Sequence, residues 1–421
     1  MTRAEFLRIT ASASAWWSMP GATSPVLAAF QARDERLARV SQLIEAYDRQ
    51  GIHRTGTDVD RASAAWLLEQ VRQVGAHGVL ESFALDRVDP QLCHVQAEGT
   101  RAEGLPLFDG TFTVEGGFTG LLGPPASGGI ALVEVDQAGI SSEGRSLADL
   151  RRGPGQAIVV VTHGAYPGLT PMNAGSFAAP FGVPVLQVGS ERGEWLKAVA
   201  RAQTPVQFVA HATRTRVQAH NVVVSMTGRT GAAVTELPPI VVMTPRSGWW
   251  QCASERGGGL ACWLEAIRAL AVAGAARSAV FVASSGHELG HLGLESFIHE
   301  RPDLVKRASA WVHLGANIGA AGGRARLQAS DDAIEQLAVD ALTRAGTGVQ
   351  QRVPRGTVPA GEARNIHVGG GRYGSLLSSS PYFHSQSDRW PAAVDATAVA
   401  RFAAAIADMV MALASPSTRA D

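Results

Sequence analysis

Residues 284–291 bring three metal-capable side chains into one short segment, Ser-Ser-Gly-His-Glu-Leu-Gly-His. The segment follows the apolar run 279–283, and this change of pattern predicts that a strand ends and a helix begins here. His287 and His291 flank Glu288 with the spacing of a helical zinc motif, in which both histidines bind the metal and the glutamate is the general base. Taken alone, the segment predicts a zinc site with its own base.

The elements that must position these side chains alternate between strands and helices. Two helices are predicted between residues 34 and 75, and residues 96–215 change to short β-type runs between Gly/Pro-rich turns, which indicates an inserted module. Strands are then expected at 222–226, 240–243, 279–283 and 310–314, and helices at 259–272, 331–345 and 396–413. This alternation predicts an α/β fold with a mixed, mostly parallel sheet sandwiched by helices. In such sheets, functional residues collect at the carboxyl ends of strands.

Composition narrows the class of partner. The 421 residues are enough for two domains, and Lys plus Arg equal Asp plus Glu at 37 each. No overall positive field therefore attracts nucleic acid, and no basic stripe is interleaved with aromatic residues. We expect a small or neutral ligand and no nucleic acid, and we find no sequence signal for a particular oligomeric state.

The N-terminal segment has the features of an export signal. Arg3 and Arg8 precede an Ala/Ser/Trp-rich stretch, and residues 26–28 form a plausible cleavage site, which predicts a signal peptide at 1–29. Ala4 stands where a twin-arginine signal would carry its second arginine. A disordered tail or a short anchor is the alternative. By sequence, no later apolar run reaches the roughly 18 residues that span a bilayer, so we expect an exported, periplasmic or extracellular protein without a membrane span in its mature chain.

Several segments resemble the co-catalytic zinc exopeptidases, the family of bacterial leucyl aminopeptidases, glutamate carboxypeptidases and glutaminyl cyclases. Residues 53–57 are similar to the family's opening Arg-x-x-Gly segment, residues 179–188 to its protease-associated domain, and residues 220–224 to its return to the peptidase sheet. The resemblance implies a peptidase-like domain at 30–95 and 217–415, a β-rich protease-associated insert at 96–216, and a tail at 416–421. It also implies that residues 284–291 form a strand-to-helix corner in which Glu288 alone is a ligand.

Two ligand positions of the family's first zinc are kept. The family's Glu-Glu-x-Gly corresponds to His287-Glu288-Leu289-Gly290, so the resemblance implies Glu288 as a zinc ligand and His287 in place of the catalytic base. The family's Tyr-His-x-x-x-Asp resembles residues 382–388, which implies His384 as the other ligand.

The ligand positions of the second zinc have changed. Thr244-Pro245-Arg246 stands where the family has His-x-Asp, Ser254 stands at the bridging aspartate, and residues 314–319 contain Asn317 but no carboxylate. Catalytic zinc usually has three protein ligands and a water. Glu255, one residue from the bridging position, is the first candidate for the third ligand, with His291 and His313 as further candidates.

One interpretation is an exported, aminopeptidase-like hydrolase of amide or peptide-like bonds with at most one zinc, bound by Glu255, Glu288 and His384. The metal would lower the pKa of a bound water, and His287 would take its proton. Arg246 would stabilise an oxyanion or hold a substrate carboxylate. A buried salt bridge from Arg246 to Glu255 or to Asp388 is its structural alternative.

The other interpretation has no metal. Arg246 and Arg256 would supply the positive charge that zinc supplies in the family, and the pocket would bind a peptide-like or small carboxylate ligand, with or without acid–base chemistry on His287 and Glu288. His291 is expected to pack or to support Glu288, and Asp388 to support the site. The residues expected to contact the ligand are Trp250, Arg256, His313, Asn317, Tyr373 and Tyr382.

Overall fold

The computed structural model describes residues 25–125, 128–136, 145–228 and 237–415. Residues 1–24 of the predicted signal peptide and the predicted tail, 416–421, lie outside these ranges.

Helices and strands alternate along the described chain much as the apolar pattern predicts. The helices are α1 (Pro25–Asp48), α2 (Asp58–Gln73), α3 (Arg145–Arg152), α4 (Gly193–Ala202), α5 (Gly257–Ala273), α6 (Leu292–His299), α7 (Leu304–Arg307), α8 (Asp332–Arg344), α9 (Ala363–Val368) and α10 (Ala396–Ala414). The strands are β1 (Gly78–Ala97), β2 (Thr100–Pro106), β3 (Phe118–Gly123), β4 (Ile130–Val135), β5 (Ala157–Thr162), β6 (Val185–Gly189), β7 (Pro205–Met226), β8 (Ile240–Pro245), β9 (Ala279–Ser284), β10 (Ala310–Leu314), β11 (Ala325–Ala329), β12 (Gln351–Arg352) and β13 (Tyr373–Ser378).

The main sheet has the order β1-β7-β9-β8-β10-β13-β11-β12. Strands β9, β8, β10 and β13 run parallel, whereas β1, β7 and β9 pair antiparallel at one side and β11 pairs antiparallel with β13 at the other. The parallel centre is buried on both faces, as its continuous Val/Ile/Phe runs require. The predicted α/β class with a mixed, helix-flanked sheet is therefore confirmed.

The insert is continuous with this sheet. Strands β1 and β7 have 20 and 22 residues, and they pair from Gly78↔Val224 to Gln96↔Gln207. Their far halves also pair with β2 and β3, and β6, β5 and β4 complete a closed ring around a separate apolar core. The predicted boundaries, residues 96 and 216, fall inside these two strands. Two paired strands, rather than a flexible linker, therefore hold the insert against the main sheet.

Helix α10 corrects the expectation that no later apolar run reaches the length needed to span a bilayer. It has 19 residues and a mean hydropathy of 1.6, so by length and composition it is an apolar run that could cross a membrane, the one such helix among the described residues. Half of that apolar window is buried in the protein, where α10 packs against α5 and α8. Two core helices in contact need apolar residues around most of their circumference, which explains the composition.

Helix α5 begins unusually close to the neighbouring loop. At Gly258, an added Cβ would lie 1.8 Å from the backbone oxygen of Ile318. This approach brings the first turn of α5 against the segment after β10, where the backbone N–H of Asn317 donates to the carbonyl oxygen of Glu255 at 3.1 Å. Glycine at this position therefore sets the distance between two segments that carry candidate site residues.

We predict that Gly258→Ala lowers the free energy of unfolding by about 2–3 kcal/mol, because the methyl group must push one backbone segment away from another. Urea denaturation followed by circular dichroism measures the change. Gly116→Ala is the matched control, because no atom lies within 4 Å of its added Cβ. Equal stability of the two variants would contradict this account of the α5 contact.

Candidate functional site

The corner after β9 is a tight turn rather than the start of a helix. His287–Leu289 form a single 3-10 turn between Gly286 and Gly290, whose φ angles are +83° and +82°. His291 also has a positive φ, +67°, and α6 begins only at Leu292. The helical zinc interpretation is therefore wrong, because it needs both histidines on one face of a regular helix.

The ring of His291 packs on the ring of His287, with centroids 4.9 Å apart. Its Nδ1 lies 2.8 Å from the amide oxygen of Asn365 on α9. His291 thus packs and forms a hydrogen bond, which was one of its two expected roles. The other role, support of Glu288, needs a contact between the two side chains, and no such contact is found among the described residues.

Both carboxylate oxygens of Glu288 already accept hydrogen bonds. The backbone N–H and hydroxyl of Thr55 donate to Oε1 at 3.0 and 2.6 Å, and the hydroxyl of Ser247 donates to Oε2 at 2.8 Å. Glu288 is fully buried. These three hydrogen bonds fix the carboxylate in place and leave part of its acceptor capacity free, since a carboxylate has about four lone-pair sites.

Glu255 is paired with a buried arginine. Nη2 of Arg256 lies 2.7 Å from Oε1 of Glu255, an ion pair without hydrogen-bond geometry, and Nε2 of His384 lies 3.3 Å from the same oxygen. Burial opposes ionisation of Glu255, but the charges of Arg256 and His384 outweigh it and lower the pKa of this carboxyl to about 2. The carboxylate is therefore charged at neutral pH.

The guanidinium of Arg256 links two loops of the site. Its Nε donates to the carbonyl oxygen of Ser247 at 2.6 Å, whereas Nη1 and Nη2 are buried without a hydrogen-bond partner among the described residues. Ser247 also binds Glu288, so Arg256 joins the segment of Glu255 to that of Glu288. Arg256 is only 1 % exposed. This position is the one that the metal-free interpretation gives to Arg256, next to the carboxylate of Glu255, and its predicted contact with a ligand stays a prediction.

Asp388 supports Glu255 rather than Glu288. Its carboxylate accepts the backbone N–H groups of Ser254 at 2.7 Å and of Glu255 at 2.9 Å. Burial and the negative charge of Glu255 raise the pKa of Asp388 to about 7, although both N–H donors favour its ionised form. The carboxyl fixes the backbone just before α5.

Arg246 has a structural role. Its Nη1 lies 2.9 Å from Oδ1 of Asp60 on α2, and the guanidinium also donates to the carbonyl oxygens of Asp60 and His220. Both side chains are 1 % exposed. The predicted catalytic role is contradicted, and so are the predicted alternative partners Glu255 and Asp388. Asp60 was missed because 186 residues separate it from Arg246.

Three predicted contact residues are held by hydrogen bonds to residues that are distant in sequence. Trp250 donates from its indole Nε1 to the carbonyl oxygen of His384 at 2.9 Å. Asn317, with a φ of +67°, donates from its amide to the carbonyl oxygen of Ser378 at 3.2 Å. His313 is fully buried, lies 2.8 Å from the hydroxyl of Ser375, and has its pKa lowered to about 3 by burial.

The two predicted tyrosines lie in different surroundings. Tyr373 starts β13 and is 2 % exposed in the core, opposite Trp311, so the expectation that it lines the pocket is wrong. The amino end of a parallel strand lies on the side of the sheet away from the candidate site. Tyr382 follows β13 and stacks on Tyr166 of the insert, with centroids 4.8 Å apart.

A cavity of about 510 Å³ adjoins His287. Its walls come from the insert, from the corner after β9, from α6 and from α9. The residues that carry the argument below are Asn173, His287, His291, Glu295, Arg364 and Asn365. The backbone N–H of Ala174 donates to the carbonyl oxygen of Glu288 at 2.8 Å, so the insert is tied directly to the corner.

Behind His287 lies a carboxylate that sequence reasoning missed. Oε1 of Glu362 is 3.5 Å from Nδ1 of His287 and accepts a hydrogen bond from Ser284 at 2.6 Å. Glu362 is fully buried at the start of α9, and no motif distinguishes it in the sequence. Burial, followed by the charges of Arg256 and His291, holds the pKa of His287 well below its usual range. His287 is therefore neutral at physiological pH.

The donor set does not fit a pair of zinc ions. Among the described residues, no group of three or more His, Cys, Asp or Glu side chains has a metal-binding arrangement. The hydroxyl of Thr244 donates to the carbonyl oxygen of Leu314, and Ser254 and Asn317 offer no carboxylate. Co-catalytic chemistry with two metals needs bridging and terminal ligands that these positions lack.

The fold is that of known zinc aminopeptidases. A zinc aminopeptidase from Bacillus subtilis is 16 % identical, with a TM-score of 0.73 over 92 % of this chain and 96 % of that one. An aminopeptidase from Aneurinibacillus sp. strain AM-1 is 16 % identical, with a TM-score of 0.68 over 91 % of this chain and 94 % of that one. A peptidase precursor from Shewanella amazonensis is 13 % identical, with a TM-score of 0.71 over 92 % and 97 %.

These similarities establish the fold at low sequence identity. No protein-family model and no curated protein sequence matches the chain. The match covers nearly all of each chain and agrees with the predicted α/β class, a mixed sheet flanked by helices.

We predict that Arg256→Met lowers the free energy of unfolding by about 3–5 kcal/mol, because it leaves the buried carboxylate of Glu255 without its cation. Urea denaturation measures the effect. The exposed Arg201→Met is the control, with an expected change within about 0.5 kcal/mol. The double variant Glu255→Met with Arg256→Met should recover much of the loss. A single variant as stable as the control would contradict the pairing.

Proposed function

We propose that this chain is a metal-independent relative of the zinc aminopeptidases that binds a peptide-like or small carboxylate ligand in the cavity beside His287. The observation that carries the proposal is the ion pair of Arg256 with Glu255. The fixed guanidinium places a positive charge beside a carboxylate that a zinc site would need as a ligand. A buried arginine stays protonated and keeps its carboxylate occupied.

The cavity has the polarity that such a ligand needs. Its volume of about 510 Å³ lies in the usual range for small-molecule sites. Arg364 lies on one wall, is exposed, and forms no salt bridge with a described residue. A guanidinium of this kind binds carboxylates with paired hydrogen bonds. Glu295 on α6 offers an acceptor for an ammonium group on another wall. A short peptide or an amino-acid derivative carries both charges.

His287 provides the acid–base group of this proposal. Its neutral ring can accept a proton or a hydrogen bond from a ligand in the cavity, and Glu362 lies behind its Nδ1. Hydrogen bonds of this kind are often long without a ligand and tighten when one binds. We further propose that the chain is exported, on the strength of its N-terminal sequence, and that the ring-shaped insert corresponds to a protease-associated domain.

A second candidate is a hydrolase with a single zinc. The observation that favours it is the facing pair of Glu255 Oε1 and His384 Nε2, which are 3.3 Å apart and lack hydrogen-bond partners among the described residues. Two ligand atoms of one tetrahedral zinc also lie about 3.3 Å apart. This candidate requires Arg256 to withdraw and Glu288 or another group to supply the third ligand.

Metal content separates the two candidates. We predict no zinc above background in protein purified under zinc-replete conditions and analysed by plasma mass spectrometry. Glu288→Ala and His384→Ala should then be indistinguishable from the unmodified chain, with the exposed His77→Ala as a control. One zinc per chain, lost in both site variants and kept in the control, would overturn the metal-free proposal and support the hydrolase.

Ligand binding tests the cavity directly. We predict that dipeptides with a free carboxyl group bind in isothermal titration calorimetry, and that their amides bind at least about tenfold more weakly. Arg364→Gln should remove that preference, whereas Arg192→Gln, an exposed arginine of the insert, should keep it. Peptides and amides that bind equally to all three proteins would exclude Arg364 as the carboxylate partner.

A further inference from the structure

A second cavity, on the helical layer, is lined by four arginines. It has a volume of about 380 Å³ and lies between α1, the end of α8 and the first turns of α10. Its arginines are Arg33 and Arg36 on α1, Arg344 on α8 and Arg401 on α10. None of its lining residues is acidic. We call these four residues the arginine groove.

Nearby carboxylates leave most of this charge uncompensated. Nε of Arg36 lies 3.4 Å from Glu265, but Arg39 already binds both oxygens of that carboxylate at 2.8 Å and Arg268 lies 3.2 Å away. Three guanidinium groups thus share one negative charge.

The remaining arginines of the groove are even less neutralised. Nε of Arg344 is 4.0 Å from Asp408, and both side chains are more than half exposed. Arg401 donates only to the carbonyl oxygen of Gly346 at 3.3 Å. Arg33 forms no ion pair with a described residue. Exposed ion pairs at such distances neutralise little charge. The groove therefore keeps a positive local potential, although the formal net charge of the chain is zero.

The geometry points to a binding site for an anion of the phosphate class. We propose that the arginine groove binds phosphate groups, either of a small phosphorylated compound or of an anionic lipid headgroup. Guanidinium groups present several N–H donors in a plane that matches phosphate oxygens, and an anion among them relieves their mutual repulsion. The groove shares no lining residue with the cavity beside His287, so this site is independent of the function proposed above.

The test for a free anion uses the full chain and inorganic pyrophosphate. We expect pyrophosphate to raise the melting temperature saturably at constant ionic strength, relative to chloride. Arg344→Gln with Arg401→Gln should weaken pyrophosphate binding by at least about tenfold, because each lost guanidinium removes charge-assisted hydrogen bonds. Arg192→Gln with Arg201→Gln removes the same charge from exposed positions of the insert and should leave binding unchanged. Circular dichroism confirms that both double variants are folded.

Vesicles separate the two sources of phosphate. Sedimentation with phosphatidylglycerol vesicles, compared with phosphatidylcholine vesicles, tests the lipid headgroup, and the same two double variants are used. Binding of pyrophosphate alone supports a small phosphorylated ligand, whereas binding of anionic vesicles supports a lipid headgroup. The proposal is overturned if neither probe binds, or if the groove variant and the insert variant lose binding equally, since the effect would then be a general one of charge.

Discussion

The ion pair between Arg256 and Glu255 is the contact on which the rest of the site depends. It lies at the start of α5, where Asp388 holds the backbone and His384 faces the same carboxylate oxygen. Through its Nε, Arg256 also reaches Ser247, which in turn binds Glu288. Removing both charges from water costs several kcal/mol per ion, so the pair persists only because each ion offsets the other. Losing either partner would therefore disturb the three segments that carry Ser247, Glu255 and Glu288.

A guanidinium can replace the charge of a metal ion but not its chemistry. Zinc lowers the pKa of a bound water and polarises a carbonyl group, whereas an arginine stays protonated and donates hydrogen bonds in fixed directions. In the proposed function, the acid–base group is His287. Burial and then its positive neighbours disfavour the imidazolium form, and Glu362 is the carboxylate that lies beside Nδ1. The same arginine that stabilises Glu255 thus makes His287 a weaker base.

The sequence predicted the framework of the fold more accurately than the site. Strand β10 has the predicted bounds, and β9 is longer by one residue, because continuous apolar runs between polar turns identify buried strands. The corner after β9 was also predictable, since glycines on both sides of His287 allow positive φ angles. Thr55, Asp60 and Glu362 were not, because each meets its partner only after distant segments fold together. Tyr373 was misplaced because no strand was predicted at 373–378, so the sequence did not show that it begins a buried strand.

The rigid attachment of the insert explains how the cavity can be formed before a ligand binds. Strands β1 and β7 run unbroken from the main sheet into the insert, and a backbone hydrogen bond joins Ala174 to Glu288. Asn173, the residue before Ala174, lines the same cavity as His287 and residues of α9. A binding site whose side chains and loops are already ordered loses less conformational entropy on binding than a flexible one. In the function proposed above, the insert would contribute to recognition through its position, while the turn after β9 supplies His287 and the start of α9 supplies Glu362.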